Sequence, residues 1–452
     1  MKNDFTSKLE KYLISNNKIN PSLYGKWDVK RGLRNANGSG VVVGLTRVGD
    51  VQGYEVNERG EKIPIGGRLF YRGVNIEDIV NNCIAEDRFG YEETSYLLLF
   101  GRLPNRDELR GYERLLGIKR ALPKGFIRDM ILTAPSRSIM NKLARSVLAL
   151  YSYDKNPDDT SIENVLRQSI DLIAYFPALI AAAYQAKQTL MNNRNSIYLH
   201  SPDPALCTAE NILRLTRPSG NFTDFEAKML DICLILHAEH GGGNNSSFTT
   251  HVVTSTGTDT YSAIAAAAGS LKGPKHGGAN IEVIEMIEGI KKNVRDVTDE
   301  SKVREYLIKL LKGEAGDRSG LIYGLGHAVY TVSDPRAVLL KKMARKLAVE
   351  KGLANDFALY EYIENNAPQL YNEIKGAKKS MPANVDLYSG FVYKALGIPN
   401  ELSTPIFAMA RISGWCAHRL EELSEGAKIM RPAYKCVQPS VKYVPLEERI
   451  QP

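Results

Sequence analysis

Histidine is scarce in this chain, with seven in 452 residues. Four of them, His237, His240, His251 and His276, fall in one stretch of the sequence, and His327 follows in a short coda at Gly324–Arg336. Three lie against glycine: His240-Gly-Gly-Gly-Asn, Gly-Pro-Lys-His276-Gly-Gly-Ala-Asn and Gly-Leu-Gly-His327-Ala. Glycine leaves space beside an imidazole and lets backbone approach a ligand closely. A neutral imidazole so placed can polarise a carbonyl or relay a proton. A lone histidine is more often a structural hydrogen-bonding group, and composition leaves both readings open. A third reading makes His237, His240 and His251 zinc ligands, although no HExxH or CxxC accompanies them.

Longer segments carry a resemblance. His237-Ala-Glu-His240-Gly-Gly-Gly-Asn-Asn, Gly273-Pro-Lys-His276-Gly-Gly-Ala-Asn, Gly324-Leu-Gly-His327-Ala-Val-Tyr, Asp334-Pro-Arg336 and Asn384-Val-Asp386-Leu-Tyr-Ser-Gly390 resemble the citrate synthase family in order and spacing. The likeness runs from about Gly40 to Cys436. It implies an acyltransferase, a Si-type citrate synthase of the tricarboxylic acid cycle. Such an enzyme condenses oxaloacetate with acetyl-CoA and water through an enol and citryl-CoA. Acetyl-CoA is then a substrate, and neither cofactor nor metal is expected.

That reaction needs a base for a weakly acidic methyl group, a donor for the forming enolate, a second donor for the ketone, and cations for two carboxylates. The resemblance implies Asp386 as the base, partly desolvated by Val385, Leu387 and Tyr388. It implies His276 at the thioester oxygen, kept neutral by the positive end of the helix that follows it. His327 would serve the ketone and supply its proton, and His240 would contact the ketoacid. Arg336, Arg411 and Arg431 would grip the carboxylates as planar forks, Arg431 reaching over from the second subunit of a homodimer. His237 and His251 are left to structure. Where many relatives carry a basic residue for the coenzyme phosphates, this chain has Thr331 and Val332. Lys272, Lys275, Leu325 and Gly326 are the candidates for coenzyme A contacts.

Two rival functions use the same residues differently. A 2-methylcitrate synthase would take propionyl-CoA, and the shared motifs do not separate the two donors. A catalytically inactive helical metal-binding or scaffold protein would have no reason to keep Asp386, His276 and His327 together.

The elements that must hold these residues read as mainly α-helical. Residues 5–36 suggest a short amphipathic helix and a basic loop. From Gly40, short β-prone runs between glycine and Asn/Asp turns suggest small hairpins. Helical periodicity follows over Asn75–Cys83, Tyr91–Phe100, Arg106–Ala121, Ser138–Tyr153, Ile162–Met191, Asp224–His237 and Asp259–Leu271. Pro177 is expected to kink or divide the fifth of these. Charged amphipathic helices at Ile281–Lys292, Ser301–Gly313, Pro335–Lys351 and Asp356–Lys375 suggest a separate, more polar lobe. An apolar helix at Ser403–Glu425 and an extended tail from Pro432 complete the chain. The implied division is a large domain at 1–276 and 386–452, interrupted by a small mobile one at 277–385.

Composition narrows the class. At 43% hydrophobic and 24% charged, the chain is an ordinary globular one able to bury a sizeable core. The net charge of +8 suits small anionic ligands, while the lack of a dense basic run with interleaved aromatics disfavours nucleic acid. Five scattered cysteines suggest a reducing compartment. The first residues mix charges without an apolar run, and the most lipid-like stretch, Leu172–Ala186, has only 15 residues and is too short to span a bilayer. The expected location is cytoplasmic, without membrane attachment.

Overall fold

The computed structural model describes residues 4–35, 38–376, 378, 380–426 and 428–449. They form two compact units, Met1–Gly44 with Met430–Pro452, and Leu45–Ile429. The first unit holds a helix at Asp4–Asn16, a short one at Ser22–Lys26 and the extended tail, in which Lys435 Nζ stands 4.6 Å from the Trp27 ring centroid.

The second unit opens with three antiparallel strands, β1 (Gly49–Val56), β2 (Lys62–Tyr71) and β3 (Val74–Asn75), paired in that order. The β1–β2 turn is built by Asn57, whose side-chain oxygen accepts the backbone N–H groups of Arg59 and Glu61, and by Gly60 at φ 77°. Two glycines let this small sheet touch a loop far along the chain. A Cβ at Gly53 would stand 2.4 Å from Val329 O, and one at Gly67 would stand 2.3 Å from Ser333 O. The Gly67 N–H donates to Ser333 O at 3.0 Å. The expected hairpins are therefore present, and they buttress the segment that follows His327.

The remainder is helix on helix. Ile162–Leu190 and Ser403–Ser424 run through the middle and pack on each other. The first continues through Pro177 as one 29-residue element instead of being divided there. Proline removes one backbone bond, but near-complete burial of the surrounding turns holds the helix together. Its length and apolarity would suffice to cross a membrane, unlike the shorter stretch read from sequence. Most of its apolar window, 83%, is instead buried inside the fold.

The helices at Ala279–Asn293, Glu300–Lys312, Pro335–Glu350 and Ala354–Lys375 lie within two residues of their sequence-predicted bounds. Helices at Thr208–Thr216, Asn245–Thr254 and Val385–Ala395, and a π-helical turn at Ile127–Leu132, stand outside the segments predicted from sequence. Asn245–Thr254 consists largely of Ser, Thr and Val, all modest helix formers. It is set by its Asn244 cap and by packing against Thr260–Lys272 and Ser403–Ser424. Four of the five alanines of Thr260–Lys272 are buried within this same chain, and ordinary core packing accounts for them.

Candidate active site

His240 sits one turn beyond the Asp224–His237 helix. That helix begins with a reciprocal cap between Thr223 and Glu226. It ends where the His237 ring Nδ1 bonds back to Cys233 O at 2.7 Å, and Gly241 at φ 79° turns the chain away. His237 is buried and held neutral, its pKa lowered to about 3 by burial. His240 is buried too, and its Nε2 has no partner among the described residues. Burial, then the charge of Arg336, pushes its pKa well below the ordinary imidazole range; His327, Arg411 and His276 act in the same direction. Five of the residues singled out in sequence thus occupy one electrostatic neighbourhood.

The His240 ring faces His327, centroid to centroid at 5.1 Å, and Tyr330 at 5.6 Å. His327 stacks on Tyr330 at 4.6 Å. Its tautomer follows from its bonds: Nδ1 accepts the backbone N–H groups of Val329 at 3.0 Å and Tyr330 at 3.1 Å. The proton of the neutral ring therefore sits on Nε2, which makes that nitrogen a donor.

Asp386 is tied to the same loop. Gly324 O accepts the Asn384 N–H at 2.9 Å, and Gly326 O accepts the Asn384 side-chain amide at 3.0 Å. The Asn384 side-chain oxygen in turn caps the Val385–Ala395 helix at the Asp386 N–H. Gly324, at φ 83°, presses on Leu387 so closely that a Cβ would stand 2.9 Å from the leucine's own. Val385, Leu387 and Tyr388, its neighbours along the helix, are buried as well. Burial pushes the Asp386 pKa up to about 6; Arg336 and Arg411 oppose it and Asp334 assists.

His276 lies in the loop before Ala279–Asn293, its Nε2 3.0 Å from Ser246 Oγ, and that hydroxyl also accepts Trp415 Nε1–H at 3.0 Å. Its pKa falls to about 4, through burial first and then Arg411. Burial and a nearby arginine thus both favour the neutral imidazole.

The two candidate arginines in this unit differ. Arg336 is clamped by the cap residue of its own helix, donating from Nε at 3.0 Å and Nη2 at 2.7 Å to Asp334. Arg411 is fully buried on Ser403–Ser424 and donates from Nε to His237 O at 2.6 Å. Both of its Nη atoms lack partners among the described residues. Burial lowers its pKa to about 10, so it remains a cation at neutral pH. Phe407 lies under the guanidinium at 4.8 Å and makes T-shaped ring contacts with His237 and His276. A buried, unpaired guanidinium fork matches one carboxylate in charge and geometry.

The remaining candidates fall elsewhere. Lys272 and Lys275 are exposed on either side of the turn before His276, and Leu325 and Gly326 are half-buried beside His327. Arg431 belongs to the first unit and is exposed there. His237, His240 and His251 do not converge as a ligand set among the described residues; His251 pairs instead with His418. Sequence reasoning passed over Tyr330, Ser246, Trp415, Phe407 and Glu239. Tyr330 and Glu239 lie inside motifs already singled out, whereas Phe407, Trp415 and Ser246 come together only through tertiary packing.

A neutral donor at His327, a second neutral imidazole at His276, a carboxylate of raised basicity and a free cationic fork can hold an anionic ketone and deprotonate a neighbouring carbon acid. Comparison with known proteins points the same way. The family model described as citrate synthase, C-terminal domain, matches residues 36–433. The chain is 34% identical to a citrate synthase of Synechocystis sp., over 91% of this chain and 93% of that protein. It is 31% identical to 2-methylcitrate synthase 1 of Corynebacterium glutamicum, over 86% and 94%. Among solved structures, it is similar to the citrate synthase of Thermoplasma acidophilum in ternary complex with carboxymethyl coenzyme A and oxaloacetate. The TM-score is 0.73 at 27% identity, covering 93% of this chain and 99% of that one.

Proposed function

The chain belongs to the citrate synthase family, and from that premise we propose that it condenses oxaloacetate with acetyl-CoA and hydrolyses the citryl thioester. The observation that carries the reading is the Asp386 carboxylate, raised to about pKa 6, in one site with neutral imidazoles and the unpaired fork of Arg411. Arg411 and Arg336 hold the ketoacid, and His240 contacts it through Nε2. His327 directs its Nε2–H at the ketone oxygen.

Asp386 takes a proton from the acyl methyl group. Its raised pKa makes it a stronger base than an exposed aspartate by roughly 3 kcal/mol. His276 donates to the thioester oxygen as the enol forms. Because Nε2 faces Ser246, the donating atom is Nδ1, with the Ser246 hydroxyl giving its proton to Nε2 while it accepts from Trp415. The enol carbon then attacks the ketone carbon, the ketone oxygen takes the His327 proton, and water cleaves the thioester to release citrate and coenzyme A.

The wider arrangement belongs to the same reading. Residues 277–385 form a small lobe that closes on the large domain made by 1–276 and 386–452. Two chains pair, and Arg431 completes the partner's site. Lys272, Lys275, Leu325 and Gly326 meet the coenzyme, and the enzyme works in the cytoplasm. Propionyl-CoA is the second donor to consider, because relatives of both names match over most of this chain. One methylene separates the donors, worth about 1–3 kcal/mol in an apolar pocket. Steady-state thiol release with each acyl-CoA and oxaloacetate tests the proposal. A higher kcat/KM for acetyl-CoA is expected. A preference for propionyl-CoA would reassign the donor, and no thiol release with either would refute the function.

A further inference from the structure

Behind the site runs a line of titratable side chains that the proposed mechanism does not use. Glu239 Oε1 accepts from His418 Nε2 at 2.9 Å, His418 Nδ1 faces His251 Nε2 at 3.0 Å, and His251 Nδ1 meets Glu422 Oε2 at 2.7 Å. All but Glu422 are buried, and the Glu239 and His418 side chains are fully so. Bonded to carboxylates at their outer nitrogens, His418 must carry a proton on Nε2 and His251 one on Nδ1. Two neutral rings in those tautomers would turn bare lone pairs toward each other at 3.0 Å. A hydrogen bond at that separation requires one further proton between them.

We propose that Glu239 is a positioning residue for the ketoacid end of the site, held in place by a single proton shared between His251 and His418. This rests on the reading of His240 and Arg411 as ketoacid-binding residues. Glu239 is the residue before His240, whose backbone N–H favours the ionised carboxylate, and it is the foremost charge supporting the Arg411 cation. Two glycines make room for it: a Cβ at Gly414 would stand 2.3 Å from Glu239 Oε2, and one at Gly49 would stand 2.9 Å from its Cγ. The carboxylate is thus wedged between β1 and the Ser403–Ser424 helix, at the turn that aims His240.

The charges around the ring pair support one proton. Glu239 and Glu422 cap its two ends, and Glu421 adds a buried oxygen without a partner among the described residues. Arg72, 3.8 Å from Glu421, and Arg411, beyond Glu239, are the cations that oppose them. Burial, and after it the neighbouring His418, push the His251 pKa down, while the Glu422 and Glu421 carboxylates act in the opposite direction and favour the protonated ring. If the shared proton leaves, one ring must exchange tautomer and abandon its carboxylate. Glu422 can be solvated in place of that bond, whereas Glu239 cannot, so the bond to Glu239 is the one that persists.

Proton NMR of the full-length protein with 15N-labelled histidine reads the pair directly. A strongly downfield imidazole proton is expected near neutral pH, absent from both His251→Gln and His418→Gln. Its absence from wild type, or its survival in both variants, would overturn the shared proton. Stoichiometric metal retained through dialysis would overturn it as well.

Kinetics read the positioning role. His418→Leu should raise the oxaloacetate KM by roughly tenfold while kcat and the acyl-CoA KM stay within about threefold. His418→Gln, which keeps an N–H for Glu239, should recover most of the loss. Parallel changes in all three constants, or no recovery by Gln, would reduce Glu239 to scaffolding. If His418→Leu does not fold, Glu239→Gln gives the same comparison. The NMR arm needs no turnover, so a failure of the assigned reaction would be distinguishable from a failure of the pair.

Discussion

Asp386→Asn should abolish turnover and, at the same time, make the folded protein more stable at neutral and alkaline pH. The carboxylate is buried, and burial raises its pKa from an ordinary 3.8 to about 6. A group whose folded pKa is raised contributes stability that is complete below the unfolded value and is lost as pH rises through the folded value. Above pH 6 the ionised Asp386 therefore costs the fold up to roughly 3 kcal/mol, and below pH 4 it costs nothing. Asparagine has the same shape and no charge. For a chain of 452 residues that difference corresponds to about 3 °C in Tm. Thermal unfolding of wild type and Asp386→Asn at pH 8 and pH 4 reads it. The variant is expected to melt higher at pH 8, with the gap closing at pH 4. A variant that melts lower at pH 8 would mean that Arg336 and Arg411 outweigh burial, and the explanation of the base's strength would fail.

Three other perturbations separate the parts of the site. Arg411→Gln should raise the oxaloacetate KM by about 10²-fold, since it removes a charge-assisted pair, while leaving the acyl-CoA KM at saturating oxaloacetate nearly unchanged; equal effects on both would detach Arg411 from the ketoacid. Gly67→Ala drives a methyl group to 2.3 Å from Ser333 O and into the Tyr330 ring, so kcat should fall tenfold or more as the His327 loop is displaced, with circular dichroism unchanged; normal kcat would remove the sheet from its supporting role. An Arg431→Ala chain refolded with an Asp386→Asn chain should recover about a quarter of wild-type activity, because half the dimers are mixed and one of their two sites is intact; a mixture no more active than its parents would return Arg431 to its own chain.

Long helices with a clear 3.6-residue period, such as Pro335–Glu350 and Ala354–Lys375, were legible in the sequence because their apolar faces are regular. Asn245–Thr254 was not, since Ser, Thr and Val favour no helix of their own and only its neighbours impose one. Val385–Ala395 was hidden because Asn384 and Asp386 read equally well as a turn. The glycine-flanked histidines marked the site, yet what makes them neutral could not be read from spacing. His276 owes its depressed pKa to burial and Arg411, which lies 135 positions further along the chain. His251 was assigned to structure on sequence grounds, and its partnership with His418 emerges only when Asn245–Thr254 packs on Ser403–Ser424.

The account's central claim is that the ketoacid is held by one set of residues and the acyl donor is deprotonated by another, Asp386. Calorimetry of oxaloacetate binding and thiol-release turnover, measured on a single preparation of Asp386→Asn beside wild type, tests it most directly. Oxaloacetate should bind the variant with an affinity within about threefold of wild type, while turnover with acetyl-CoA falls by at least roughly 10³-fold. Turnover retained within tenfold, or oxaloacetate binding lost along with it, would contradict the division of labour on which the mechanism rests.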